Sequence, residues 1–266
     1  MSARWGVLLV FVALGGPTLG QGEEAPVVHG PAWFDRGATY YSAFEGGLDA
    51  PEVNRAEAVL VAQGTDEARP VVTAGAGFIG QGLHIRDGQA PLVLRSGVFS
   101  PHRPVTLSFW WALPYDLTIE GAYTLFSLTG RGYIALFCRG QGEWCALQRP
   151  AGVFQVYYFE DIRNINGIYD FDLLGHTDLR AGVWHHTAVV FRRASTIQVY
   201  TDGDLSCEYT VMGGVFREVH ELATLTLGGP LYLDELAVLD RAIDAPAVAE
   251  YVQGMRQLRG YLRPAE

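Results

Sequence analysis

The chain has 266 residues, a length that suits one large all-β domain and buries a sizeable core without metals or disulfides. Hydrophobic residues make up 49% and charged residues 18%, which excludes a disordered chain. The net charge is −10 and every basic side chain is an arginine, a balance that argues against nucleic acid and against anionic membrane surfaces as partners.

Residues 1–20 read as a secretory signal: Arg4 precedes an apolar stretch from Trp5 to Leu14, and Gly-Gly-Pro-Thr-Leu-Gly then supplies breakers and small residues for cleavage after about Gly20. That apolar stretch is shorter than the ~20 residues a bilayer span needs, and no later stretch is apolar enough for membrane insertion. The reading predicts a secreted or cell-envelope protein. Residues 21–37, with Pro26 and Pro31, form an N-terminal arm.

Residues 38–50 (ATYYSAFEGGLDA) give the first strand and its exit. Short strands are expected near Ala58–Gln63 and Val71, then a turn and strand over Gly75–Ile85, and another strand over Ala90–Val98. Val105–Leu113 alternates Val105, Leu107, Phe109 and Trp111 on one face with Thr106, Ser108 and Trp110 on the other. Tyr123–Leu128 continues the series. Tyr133–Leu147 reads as a hairpin about Gly140-Gln141-Gly142, and a two-residue loop there sets Cys138 opposite Cys145. Export permits a Cys138–Cys145 disulfide; two buried thiols are the alternative. The cysteine count is three, so one thiol is left over, and Cys207 reads as a small core hydrophobe.

Aromatic strands are expected over Phe154–Phe159 and Tyr169–Leu174. The most informative stretch is VWHHTAVVFRRASTIQVYTDGDLSCEYTV, residues 183–211, a strand followed by a hairpin. A three-residue Thr201-Asp202-Gly203 loop sets Val199 opposite Leu205 and Ile197 opposite Cys207, so that one face is wholly apolar. Closing strands at Thr224–Gly229 and Leu231–Leu239 precede a short helix, capped at Asp244 with Pro246 in its first turn and ending near Val252. The domain is therefore expected over 38–253, with a tail at 254–266.

Four phrases carry a resemblance: the Trp-His-His strand with its Tyr-x-Asp-Gly hairpin, Thr-Leu-Ser-Phe-Trp at 106–110, Gly77-Phe78-Ile79-Gly80-Gln81-Gly82-Leu83, and the YLDELAVLDRAI ending. Together they resemble laminin G-like domains of the concanavalin A-like lectin/glucanase superfamily, over roughly Thr39–Val252. The resemblance implies an all-β fold, a two-sheet antiparallel jelly-roll β-sandwich with a short C-terminal helix. Relatives of this kind bind calcium through carboxylates and carbonyls, which implies Glu45 in the Phe-Glu-Gly turn and Asp234 as metal ligands, with Asp49 a third candidate. Carboxylates that cap turn amides are the other reading.

Glycosidases of the superfamily carry a Glu-x-Asp-x-x-Glu phrase, and this chain has none, so no catalytic residue is assigned. Asp170 and Asp172 share a strand face, whereas Asp234 and Glu235 should point to opposite faces. His185 and His186 should likewise diverge, one inside the sandwich, so that they do not ligate one metal together. Sugar binding needs exposed aromatics, and Trp110 and Tyr158, with Trp144 and Tyr157, are the candidates; Trp110 alternates to the outer face. The sequence thus points to a secreted, non-catalytic binding or adhesion module for carbohydrate or a cell-surface protein. The alternatives are a glycoside hydrolase or lyase of the same superfamily and a structural envelope protein.

Overall fold

A computed structural model describes residues 37–262 apart from 50, 56–58, 63–69, 87–88, 90, 96–103, 117–121, 130–131, 140–150, 162–163, 173–179, 194–195 and 211–223. The expected signal at 1–20 and the arm up to residue 36 lie outside the described residues. The strands, in order, are β1 (Ala38–Ser42), β2 (Val53–Asn54), β3 (Val59–Ala62), β4 (Val71–Ala74), β5 (Gln81–Ile85), β6 (Leu92–Arg95), β7 (Val105–Ala112), β8 (Ala122–Thr129), β9 (Gly132–Arg139), β10 (Ala151–Asp161), β11 (Asn164–Asp172), β12 (Trp184–Arg193), β13 (Thr196–Thr201), β14 (Asp204–Thr210), β15 (Thr224–Leu227) and β16 (Leu231–Leu239), followed by helix α1 (Ala245–Leu262).

They form two antiparallel sheets. One runs β14-β13-β12-β7-β16-β1-β2, with β5 also on β16 and β4 on β5; the other runs β11-β10-β9-β8-β15-β6-β3. Leu107, Phe109, Trp111, Val189, Phe191, Leu233 and Val238 of the first sheet meet Leu60, Leu92, Leu94, Leu225 and Leu227 of the second in one dry interior. This is the expected jelly-roll sandwich: alternating apolar residues leave each strand one face that gains by leaving water, and a second sheet is what covers it.

The first sheet is covered on its other face too. Trp110, Ala188, Val190, Tyr200, Ala237 and Leu239 pack under Val248, Tyr251, Val252 and Met255 of α1. All eight residues of β7 are consequently buried. The helix extends past its expected end at Val252, because the apolar stripe at 248, 251, 252 and 255 continues to Leu258 on the same side. Most of the expected 254–266 tail is therefore helix. Asp244 caps it as read, its Oδ1 accepting the Ala247 N–H at 3.0 Å.

Two registers differ from expectation. The β13–β14 loop has two residues, with Thr201 opposite Asp204, and Asp202 and Gly203 both at positive φ (56° and 101°). A bulge then shifts the ladder, so that Val199 faces Cys207 and Ile197 faces Tyr209. The tight turn matches strand twist, and the bulge restores an apolar partner for Val199 by a route the three-residue loop did not anticipate. Gly203 also lets the turn approach the helix: a Cβ there would stand 3.3 Å from the Ala249 Cα. In the second sheet, Cys138 of β9 has Tyr123 on one side and Gly152 on the other. Both ladder positions beside it are filled, which corrects its expected opposition to Cys145. Cys145 itself, and with it the disulfide, lies outside the described residues.

Candidate functional site

Three turns and a bulge gather carboxylates at one edge of the first sheet. β16 carries an extra residue between Asp234, opposite Trp110, and Ala237, opposite Ser108, and Glu235 takes a φ of 53°. Leu233 and Leu236 on either side both enter the interior. Asp234 and Glu235 are thus sent to the same outer face, which corrects the expectation of opposite faces: simple alternation fails across a bulge.

Asp234 is wholly buried; its Oδ2 accepts the Ile79 N–H at 3.0 Å and its Oδ1 the Glu235 N–H at 2.8 Å. Tyr41 donates its hydroxyl to Glu235 Oε2 at 2.6 Å. Glu45 Oε1 accepts the Gln81 N–H at 2.9 Å, and Glu52 Oε2 accepts the Ala43 N–H at 2.9 Å. Burial raises all four carboxyls above their ordinary values: Asp234 well above, Glu235 to about 7, Glu45 and Glu52 in the same direction.

Glu45 and Asp234, paired in the sequence reading, do meet at the two sides of the 79–81 turn. Asp49 is exposed. The oxygen donors suit a hard cation in kind, but the two carboxylates already hold main-chain amides. Among the described residues no three acidic, imidazole or thiol groups converge as a metal requires. The geometry favours the capping reading. Gly80, at φ +64°, is what admits Glu45, since a Cβ there would fall 2.0 Å from Oε1. Gly82 is equally constrained, because a Cβ would stand 2.4 Å from the Gly77 Cα.

Trp110 has no surface for a sugar. It is 0% exposed, stacked on Phe78 with ring centroids 3.7 Å apart, and its Nε1 donates to the Tyr251 hydroxyl at 3.3 Å. The outer face it was expected to present is the face α1 closes. Tyr158 lies in β10, and its side chain, like that of Tyr157, is outside the described residues; Trp144 is outside them altogether. Asp170 and Asp172 sit on β11, at the edge of the second sheet, and so on a different sheet from Trp110.

The two histidines diverge as expected, and both are buried. His185 lies against Trp111, and its Nδ1 is 2.8 Å from Asp202 Oδ2. His186 lies under α1 against Tyr251, with Nε2 2.9 Å from Ser108 Oγ, and burial lowers its pKa to about 3. Asp202 is the joint between these parts. From the turn, its Oδ1 accepts the His186 N–H at 3.0 Å and the Arg256 Nη2 at 2.8 Å; burial pushes its carboxyl up, but His185 foremost, then the His186 N–H and Arg256, hold it below the usual range.

Arg256 stands where two open clefts meet. The first, about 400 Å³, lies between the β13–β14 turn and α1, and presents Asp202, Asp204, Gln253 and Gln257. The second, about 360 Å³, is walled by Phe78, Trp184, Arg256, Arg259 and Gly260. Trp184 is half-buried, edge-on to Phe78 at 5.9 Å, and Arg259 lies 4.7 Å over the Phe78 ring. None of the residues specific to these clefts was a candidate in the sequence. The usable signal was the helical stripe beyond Val252, which puts Arg256 and Arg259 one turn apart beside the sheet.

No curated relative matches the sequence. Among solved structures, the chain is similar to domain 4 of AbnA, a GH43 extracellular arabinanase from Geobacillus stearothermophilus, solved in complex with arabinotriose: 18% identity, 82% of this chain and 98% of that one, TM-score 0.58. It is also similar to the binding domain of Paraclostridial Mosquitocidal Protein 1 (15% identity, 82% of this chain, 52% of that one, TM-score 0.57) and to that of botulinum neurotoxin serotype D (12%, 82%, 51%, 0.56). The chain spans about half the length of these last two. At such identities the likeness is one of fold. A family model for laminin G-like domains matches residues 86–249, and the chain belongs to the concanavalin A-like lectin/glucanases superfamily.

Proposed function

We propose that this is an exported, non-catalytic binding module that holds a carbohydrate in the paired clefts about Arg256. The observation that carries the reading is their chemistry. A half-buried indole, two primary amides, two carboxylates and two guanidinium groups line the adjoining clefts. That is the set a sugar needs, an aromatic face for its C–H groups and planar donors and acceptors for its hydroxyls. AbnA domain 4, the same fold over nearly its whole length, was solved with arabinotriose, which supports a saccharide ahead of a protein ligand. Export rests on the leader-like first 20 residues.

The acidic pair argues against a hydrolase. Asp234 and Glu235 are buried under packed residues and bonded to their own turn and to Tyr41, and neither lines the two clefts about Arg256. Calcium at the Glu45–Asp234 turn enters this proposal as the rival of the capping reading that the geometry favours, and removal of the cation decides between them. A glycan-array screen of the full chain, with and without a chelator, tests both parts. Binding of a saccharide family that Trp184→Ala abolishes supports the module. Absence of any signal in both conditions contradicts it, and indifference of binding and melting temperature to the chelator removes calcium.

A further inference from the structure

Resting on that reading, we infer that the ligand is an extended saccharide chain, which leaves the Phe78–Trp184 cleft and crosses the strands of the first sheet over Tyr232 and His84. The strand register lays these side chains in one line. Trp184 of β12 faces Ala112 of β7, Ala112 faces Tyr232 of β16, Tyr232 faces His84 of β5, and His84 faces Val71 of β4. Residues directly opposite in a ladder point to one side. Leu83, Leu231 and Leu233 beside them enter the dry interior, so the line lies on the outer face. From β12 to β4 it covers four strand spacings, about 19 Å.

The adjacent line on this face, His186–Trp110–Asp234, is wholly buried, with Phe78 and Tyr251 against Trp110. The Trp184 line is not: its three rings are half-buried and Val71 is 47% exposed. His84 and Tyr232 lie ring to ring at 4.3 Å, tilted by 30°. A cross-strand aromatic pair steadies a sheet, which accounts for that contact. It does not account for Trp184 standing in line with them across Ala112, which adds only a methyl. Nor does it account for an indole N–H, a phenol and an imidazole with no hydrogen-bond partner among the described residues. Flat rings with polar edges, repeated along a line, suit a ligand whose own C–H faces and hydroxyls repeat. An apolar protein surface would leave those edges unpaired. Trp184 and Tyr232 are two strand spacings apart, about 10 Å, too far for one sugar ring to cover both.

The test is isothermal titration of the full chain with arabino-, xylo-, cello- and galacturono-oligosaccharides, each as a ladder from monosaccharide to hexasaccharide. Affinity for the ladder that binds should rise with length and level off once the chain outgrows the line. Tyr232→Ala should weaken the long members about three- to tenfold and leave the shortest binding member unchanged, while Tyr232→Phe keeps the ring and most of the affinity. His84→Ala, farther along the line, should remove only the last gain with length. Thermal melts show that each variant is folded. Short and long members that bind equally, or a gain with length that both alanine variants leave intact, overturn the chain inference and leave the carbohydrate reading standing. Light scattering on the same samples adds a further outcome: a dimer that Tyr232→Ala dissolves assigns the line to a second copy and overturns the inference. No binding of any ladder overturns both readings.

Discussion

His186→Gln separates two opposing pH effects built into the outer face of the first sheet. His186 is fully buried, with Ser108 at its Nε2, Tyr251 and Trp110 against its ring, and Asp202 and Arg256 as the charged groups that act on it. Desolvation lowers its pKa from 6.5 to about 3, so between those values the unfolded chain binds a proton that the folded one refuses. Stability is therefore lost as pH falls through that window, approaching about 1.4 kcal/mol per pH unit, or about 2.3 kcal/mol from pH 6.5 to 4.5. Glu235 acts in the other direction: its folded value of about 7 lies above its ordinary 4.5, so the folded state binds more protons in between and gains stability as pH falls. Asp234 shares that sign. The wild-type profile is a partial cancellation, but the difference between wild type and His186→Gln isolates the imidazole, and any constant packing loss in the variant drops out. Urea melts at pH 4.5, 5.5, 6.5 and 7.5 should show the wild type's advantage shrinking by about 2.3 kcal/mol between pH 6.5 and 4.5. A difference that stays flat refutes the argument, because it means the folded protein accepts the proton as readily as the unfolded chain does.

Glu235→Gln keeps an acceptor for Tyr41 and removes the buried charge, so at pH 8 it should raise stability by on the order of 3 kcal/mol, a gain that disappears by pH 4.5 in the same melts. Asp202→Ala loses the acceptor for His185, His186 N–H and Arg256 at a residue held at φ 56°; a cost of about 2–4 kcal/mol is expected by chemical denaturation, and Asp202→Asn should cost less because Asn tolerates that φ. Gly82→Ala drives a methyl into the Gly77 backbone and should destabilise by about 1–3 kcal/mol in a thermal melt.

The strands and their sandwich were legible because alternation is a local signal: Val105, Leu107, Phe109 and Trp111 announce an inward face in the sequence, and that face is where they lie. The pairing of Glu45 with Asp234 was legible through the resemblance, and the two do share a turn. What escaped depends on one-residue events and on partners distant in the chain. A bulge at Glu235 cancels alternation and unites two acids, and another beyond Leu205 rewrites the hairpin register. Trp110 alternates outward as read, but outward is inside when a helix nearly 140 residues later lies across it. The clefts about Arg256 are made by that same helix meeting a turn and a strand, so no window of sequence contains them.

The most direct test of the binding account is an NMR titration of the full chain with the best-binding oligosaccharide, following tryptophan indole and arginine side-chain N–H resonances. The account expects the Trp184 indole and the Arg256 and Arg259 signals to move in saturable fashion, while the buried Trp110 and Trp111 indoles stay nearly fixed. Saturable shifts confined to the second sheet, with Trp184 and both arginines unmoved, would contradict it.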